Sequence, residues 1–118
     1  MTRLLLASLL VSLAACPSGG GAEQRKDIIA KMSSTKGPLD TCYANALARN
    51  RKLAGMFVIE LIADSGTGQF KNVIVRRDEP QDPILRLCVI NEVVKLKLDK
   101  APSSSVQINF PYRFRPLN

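Results

Sequence analysis

The sequence predicts an α+β domain in which a three-stranded antiparallel sheet packs against two helices, in the order helix, strand, strand, helix, strand. Two segments carry apolar residues at the three- and four-residue spacing of amphipathic helices. Three others alternate apolar and polar residues or are rich in β-branched and aromatic types, which is typical of strands. A short glycine-containing turn joins two of these strands, so we expect a hairpin. The predicted domain covers residues 28–118.

The first predicted helix begins after Pro38 and ends near Asn50. Its apolar residues lie on a single stripe, made of Leu39, Cys42, Tyr43, Ala46 and Leu47. The apolar residues at 28–32 could begin an earlier helix, but we expect the segment 36–38, Lys-Gly-Pro, to interrupt or kink it. Gly55 then closes the turn that leads out of the helix.

Residues 56–64 and 69–77 form the two strands of the predicted hairpin. Phe57, Ile59 and Leu61 share one face of the first strand. The alternation in the second strand breaks near Lys71-Asn72, which predicts a β-bulge. The Ser-Gly-Thr-Gly sequence between the strands has no following helix, so a hairpin turn is favoured over a phosphate-binding loop.

A second helix and a third strand complete the domain. Asp82 is the predicted N-cap, with Pro83 at the first helical position. The residues that follow at helical spacing are Ile84, Leu87, Cys88, Asn91 and Val94. Further apolar residues lie on other sides of this helix, so we expect it to be largely buried. The third strand spans residues 106–114, and Pro111 places it at an edge of the sheet or at a bulge, because proline cannot donate to a ladder.

The first 15 residues are expected to be a lipoprotein signal peptide. They carry one charge, Arg3, and an apolar core of about ten residues, too short for the roughly 20 that a membrane-spanning helix needs. The tetrapeptide LAAC that ends at Cys16 resembles a bacterial lipobox, which implies cleavage before Cys16 and lipidation of its thiol. Pro17, in place of aspartate, implies the outer membrane. The alternative is an ordinary secretory signal that leaves Cys16 as a free thiol.

Residues 16–27 are expected to form the lipidated cysteine and a flexible tether, since this segment is glycine-rich and then polar. The chain carries a net charge of +7, but its lysines and arginines are scattered, so we expect no nucleic-acid binding. A solvated basic face and contact with anionic envelope polymers both remain open. Histidine is absent, and we find no nucleophile, acid–base pair or metal cluster. The sequence therefore predicts a protein that is not an enzyme and has no cofactor or metal.

Three segments taken in order are similar to a known family. They are TCYANALARNRKLAGMFVIELIADSGTGQFKNVIV, DPILRLCVINEVVKLKL and VQINFPYRF. This set resembles the TonB-like C-terminal domain of the AgmX/PglI family over about residues 28–118. That family has Cys-Tyr on its first helix, a glycine-centred hairpin, a cysteine on its second helix and a terminal aromatic-Pro-aromatic strand. The chain departs from it at residues 96–98, Leu-Lys-Leu in place of Trp-x-Phe, and at residues 76–79, Arg-Arg-Asp-Glu where serines are common.

The resemblance implies a binding module that adds an extended segment of a partner to an exposed sheet edge. The candidate partner contacts are Arg76, Arg77, Phe110, Tyr112, Arg113 and Arg115. The sequence shows neither the inner-membrane helix nor the long linker of an energy transducer. We therefore expect a lipid-anchored periplasmic scaffold subunit at the outer membrane, within an envelope machine for motility, pilus assembly or transport. A module that binds lipopolysaccharide or peptidoglycan through its basic residues is the alternative.

Cys42 and Cys88 are predicted to form a disulfide. They lie on the apolar stripes of two helices that should pack side by side, in a compartment that oxidises thiols. Two buried free thiols are one alternative. A redox-active enzyme that uses this pair is another, although the sequence has no Cys-x-x-Cys motif and no adjacent base.

Overall fold

Six elements follow one another in the computed structural model, which describes residues 21–116. In chain order they are α1 (Gly21–Ser34), α2 (Lys36–Arg49), β1 (Gly55–Ala63), β2 (Phe70–Asp78), α3 (Pro83–Val94) and β3 (Val106–Phe114). The strands form one antiparallel sheet in the order β2-β1-β3. The predicted α+β fold with a three-stranded antiparallel sheet is therefore confirmed, with three helices instead of two.

Helix α1 is the additional helix. It begins at Gly21 and includes the run Ala-Glu-Gln-Arg-Lys at 22–26, whose residues are good helix formers. Ile28 and Met32 lie one turn apart and are fully buried, and this packing stabilises a helix that propensity alone would leave marginal. Residues 21–27, predicted as part of the tether, are therefore helical. The predicted signal peptide and Cys16 lie outside the described residues.

Helices α1 and α2 are separated by Thr35 alone. The threonine hydroxyl donates to the carbonyl of Lys31 at 3.1 Å. Gly37 and Pro38 lie in the first turn of α2, where a missing N–H leaves no helical hydrogen bond unmade. The interruption thus comes just before the predicted segment 36–38. The predicted stripe of α2 is confirmed, because its residues from Leu39 to Ala46 are buried and Leu47 packs against them.

Strand β1 lies in the centre of the sheet. Phe57, Ile59 and Leu61 are fully buried against the helices, as predicted. The pairing of β1 with β2 slips opposite Leu61, and Asn72 has a positive φ of 51°. These features confirm the β-bulge that was predicted near Lys71-Asn72.

Strand β3 pairs with β1 from Gly55 opposite Phe114 to Ala63 opposite Val106, without a break in register. In the sheet order β2-β1-β3, β3 is an edge strand. The edge position predicted from Pro111 is confirmed, since an edge strand tolerates a residue that cannot donate a hydrogen bond.

Helix α3 begins as predicted. The carboxylate of Asp82 accepts a hydrogen bond from the Leu85 N–H at 2.8 Å, and Pro83 occupies the first turn. The expectation that this helix is largely buried is wrong, because Ile84 and Leu87 are 60% and 59% exposed. The buried stripe consists of Leu85, Val89 and Val93. Periodicity located the helix, but two apolar stripes share its spacing and only one of them meets the core.

Candidate binding groove

A groove of about 380 Å³ lies between α2 and the end of β3. It is lined by Lys36, Asp40, Tyr43, Ala44, Leu47, Tyr112, Arg113, Phe114 and Arg115. We call this feature the α2–β3 groove. Because β3 is an edge strand, the groove lies on the side of the sheet where a further strand would add.

Three aromatic rings form the apolar wall of the groove. The ring centroids of Tyr43 and Phe114 are 4.9 Å apart, and those of Tyr112 and Phe114 are 5.0 Å apart. Phe57 packs against Phe114 from the core at 5.1 Å in an edge-on arrangement. These are the separations of favourable aromatic pairs, so the wall is preformed.

Asp40 links the two sides of the groove. Its Oδ1 accepts a hydrogen bond from the Tyr112 hydroxyl at 2.7 Å, and its Oδ2 lies 2.5 Å from Lys36 Nζ. The hydrogen bond from Lys36 and the weaker one from Tyr112 lower the pKa of Asp40 despite partial burial. Burial and the neighbouring Asp40 raise the pKa of Tyr112. At neutral pH the link therefore joins an ionised carboxylate and a protonated phenol.

The rim of the groove is positively charged. Lys36, Arg113 and Arg115 contribute three cations, and of the described residues that line the groove only Asp40 is acidic. Within residues 21–116, no carboxylate lies within ion-pair distance of Arg113 or Arg115. These two guanidinium groups can therefore bind anionic groups of a ligand, and the groove suits an acidic one.

The structure brings together three of the predicted contacts, Tyr112, Arg113 and Arg115, in this groove. Phe110 lies nearer the middle of β3, opposite Ile59, and packs against the core. It does not line the groove.

Arg76 and Arg77 lie on β2, across the sheet from β3. The Nε of Arg76 is 2.7 Å from a carboxylate oxygen of Glu60, and Arg77 is 3.1 Å from one of Glu79. Both arginines are exposed and each has an acidic neighbour. The structure therefore separates this arginine pair from the groove.

Sequence reasoning did not identify the contribution of α2 to the groove. Tyr43 and Leu47 were recognised as apolar residues, but as parts of the core. Lys36 and Asp40 stand four residues apart with opposite charges, a visible helix pair. No local signal connects Asp40 with Tyr112, which is 72 residues away.

A second link holds α2 in place. Cys42 on α2 and Cys88 on α3 are paired, with Cα atoms 5.8 Å apart, which is within the range for disulfides. Cys42 is buried and Cys88 is half-buried. The predicted pairing therefore has the geometry that a disulfide requires. Helix α2 is joined to α3 by this bridge and to β3 by the hydrogen bond between Asp40 and Tyr112.

Neither a membrane-spanning helix nor a metal-binding cluster is found among residues 21–116. No helix in this range is long and apolar enough to cross a membrane. No three His, Cys, Asp or Glu side chains in this range are grouped so that they could hold a metal ion.

Comparisons with protein-family models, with curated proteins and with solved structures found no match. The TonB-like family assignment therefore stays a prediction from the sequence.

Proposed function

We propose that this chain is a lipid-anchored binding subunit of the bacterial cell envelope, and that the α2–β3 groove holds an extended, acidic segment of a partner protein. The observation that carries the proposal is the groove itself, which has an aromatic wall and three cations on its rim and lies beside an edge strand. We expect no chemical step, and the chain acts by binding.

The geometry suits a partner in an extended conformation. The outer edge of β3 offers backbone groups to an added strand at every suitable position except Pro111, which has no N–H, and these groups provide affinity with little dependence on sequence. Alternate side chains of that strand point toward the groove, where an apolar one packs against the partly exposed Tyr112, which the buried Tyr43 and Phe114 support from behind. Carboxylates of the partner pair with Arg113 and Arg115, which supplies selectivity for an acidic segment.

The N-terminal motif supports a membrane location. The LAAC motif predicts lipidation at Cys16, and the first helix, α1, begins five residues later at Gly21. The intervening residues 17–20 span at most about 14 Å even when fully extended. The domain is then held close to the periplasmic face of the outer membrane, and its partner must have a segment there.

The first experiment is site-specific photocrosslinking of the full chain in its own cells. A photoreactive amino acid is placed at Ala44, an exposed residue that lines the groove, and in a matched strain at Asn45, an exposed neighbour outside it. We expect position 44 to capture one or a few envelope proteins, identified by mass spectrometry, and position 45 to capture none of them. The acidic charge of the captured segment is then read from its sequence.

Equal capture from both positions would contradict the groove as the binding site. Capture of lipopolysaccharide or peptidoglycan alone, in a salt-dependent manner, would favour the envelope-surface function through Arg113 and Arg115. Replacement of both arginines by glutamine tests whether the rim charges contribute, because the captured material should then decrease while the fold is unchanged; the identity of that material distinguishes the two functions.

A further inference from the structure

Helix α3 has an apolar face that no part of the described structure covers. We define the α3 seam as Ile84, Leu87, Asn91 and Val94. Ile84 and Leu87 are more than half exposed, and Val94 is 38% exposed. A shallow depression of about 330 Å³ runs along this face and is lined in part by Ile84, Leu87 and Asn91. The opposite stripe of the same helix, with Val89 at its centre, is fully buried against the core.

The α3 seam has the spacing of a dimerising helix. Its members are three, four and three residues apart, which is the alternation of positions a and d in a heptad. The first a and d positions hold Ile84 and Leu87, a combination that favours two parallel strands, whereas the second d position holds Val94, the last residue of the helix. Asn91 occupies the second a position, where one asparagine selects a two-stranded register because it pairs with its counterpart.

We propose that the α3 seam binds the α3 seam of a second copy of this chain, with the two helices parallel about a two-fold axis. In such a contact each residue on the axis meets its own counterpart. Ile84, Leu87 and Val94 form apolar layers, and the amides of the two copies of Asn91 hydrogen-bond to each other. The pairing therefore buries the exposed apolar side chains without leaving a polar group unsatisfied.

The charges around the α3 seam are compatible with this symmetry. Glu92 is 3.1 Å from Lys95, and Arg86 is 3.2 Å from Asp78, so the charges that flank the seam are paired within each copy. The four seam residues themselves carry no charge. Like charges brought together by the two-fold axis are thus already compensated. The α2–β3 groove has no residue in common with the seam, and the proposal does not depend on the proposed function.

The test uses the full chain purified in a mild detergent, with its association measured by sedimentation. We expect the natural chain to form dimers, and Ile84→Glu and Ile84→Lys each to weaken association by at least about tenfold, since each places like charges together in a desolvated layer. An equimolar mixture of the two variants should restore association, because parallel pairing sets residue 84 against residue 84. Ile29→Glu, at a 48% exposed isoleucine on α1, is the matched control and should associate like the natural chain.

Four results would overturn the proposal. A natural chain that is monomeric at all accessible concentrations has no such interface. If Ile84→Glu leaves association unchanged, the chains associate through another surface or through the detergent. A mixture of the two Ile84 variants that stays monomeric excludes parallel pairing of the two seams. Loss of association in the Ile29→Glu control would show that the effect of the Ile84 variants is not specific to the α3 seam. Circular dichroism of each variant establishes that the fold is retained.

Discussion

Gly55 shows at the scale of one residue why a glycine is needed where β1 begins. Its φ is +133°, a conformation that side chains rarely adopt, and a Cβ built there would lie 2.6 Å from the Cβ of Glu79. Glu79 is held in this position because its backbone N–H donates to the Met56 carbonyl at 3.1 Å and its carboxylate accepts from the Met56 N–H at 2.7 Å. The sequence indicated a turn at Gly55, and the structure adds a close contact with a residue 24 positions later.

Replacement of Gly55 by alanine should lower the free energy of unfolding by about 1–3 kcal/mol, because it adds both backbone strain and a steric clash. Gly37→Ala is the matched control. A Cβ at Gly37 meets nothing within 4 Å, and the residue is helical, so that variant should be neutral or more stable by up to about 1 kcal/mol. Urea denaturation measures both values. Equal effects at the two glycines would show that the contact with Glu79 carries no cost.

At the scale of one element, α3 depends on its N-cap. The hydrogen bond from the Leu85 N–H, followed by the one from Arg49, lowers the pKa of Asp82 below its ordinary value of 3.8. Arg49 Nη2 lies 3.1 Å from the Asp82 carboxylate, so the cap also ties α3 to the end of α2. A carboxyl whose pKa is lower in the folded state contributes stability that is fully present above the unfolded pKa. That contribution is lost as the pH falls through the folded pKa.

We therefore expect Asp82→Ala to lower the free energy of unfolding at neutral pH by about 1 kcal/mol, the usual cost of a lost N-cap. Asp82→Asn retains a capping oxygen but has no charge, so its deficit relative to the natural chain should shrink when the pH is lowered well below 3.8. Urea denaturation at neutral and acidic pH measures this difference. Other carboxyls with lowered pKa values, such as Asp64, are common to both proteins and cancel in the comparison. A deficit that does not change with pH would contradict the assigned role of the charge.

Two long-range connections hold α2 over the sheet. The pair formed by Cys42 and Cys88 closes a loop with a sequence separation of 46 residues, and the hydrogen bond from Tyr112 to Asp40 joins positions 72 apart. Small domains bury little apolar area for their length, so a covalent cross-link supplies a large share of their stability. The bridge also fixes α2, which forms one side of the α2–β3 groove.

The double variant Cys42→Ser/Cys88→Ser should lose roughly 2–4 kcal/mol of unfolding free energy relative to the oxidised natural chain, because the open chain gains conformational entropy when it unfolds. A reducing agent should destabilise the natural chain by a similar amount and leave the double variant unchanged. Urea denaturation with and without reductant tests both statements. A natural chain insensitive to reductant would support the two unpaired buried thiols that the sequence left open.

Local patterns were sufficient for five of the six elements of this fold, α2, β1, β2, α3 and β3. The apolar stripe of α2, the Asp82-Pro83 start of α3 and the bulge at Asn72 each depend on residues within a few positions of one another. The helix α1 was missed as a complete element because its stability comes from the burial of Ile28 and Met32, which is a property of the assembled core.

Sequence patterns alone were enough for the α+β class and for the order of the strands along the chain, and they predicted an edge or a bulge at Pro111 and a pairing of Cys42 with Cys88. The packing of distant elements decides which stripe of α3 is exposed and brings the Tyr112 hydroxyl to Asp40 beside a groove. This difference follows from the range of the interactions involved. Periodicity, capping and turn chemistry act between neighbours in the sequence, whereas a groove and an exposed face arise from how distant elements pack.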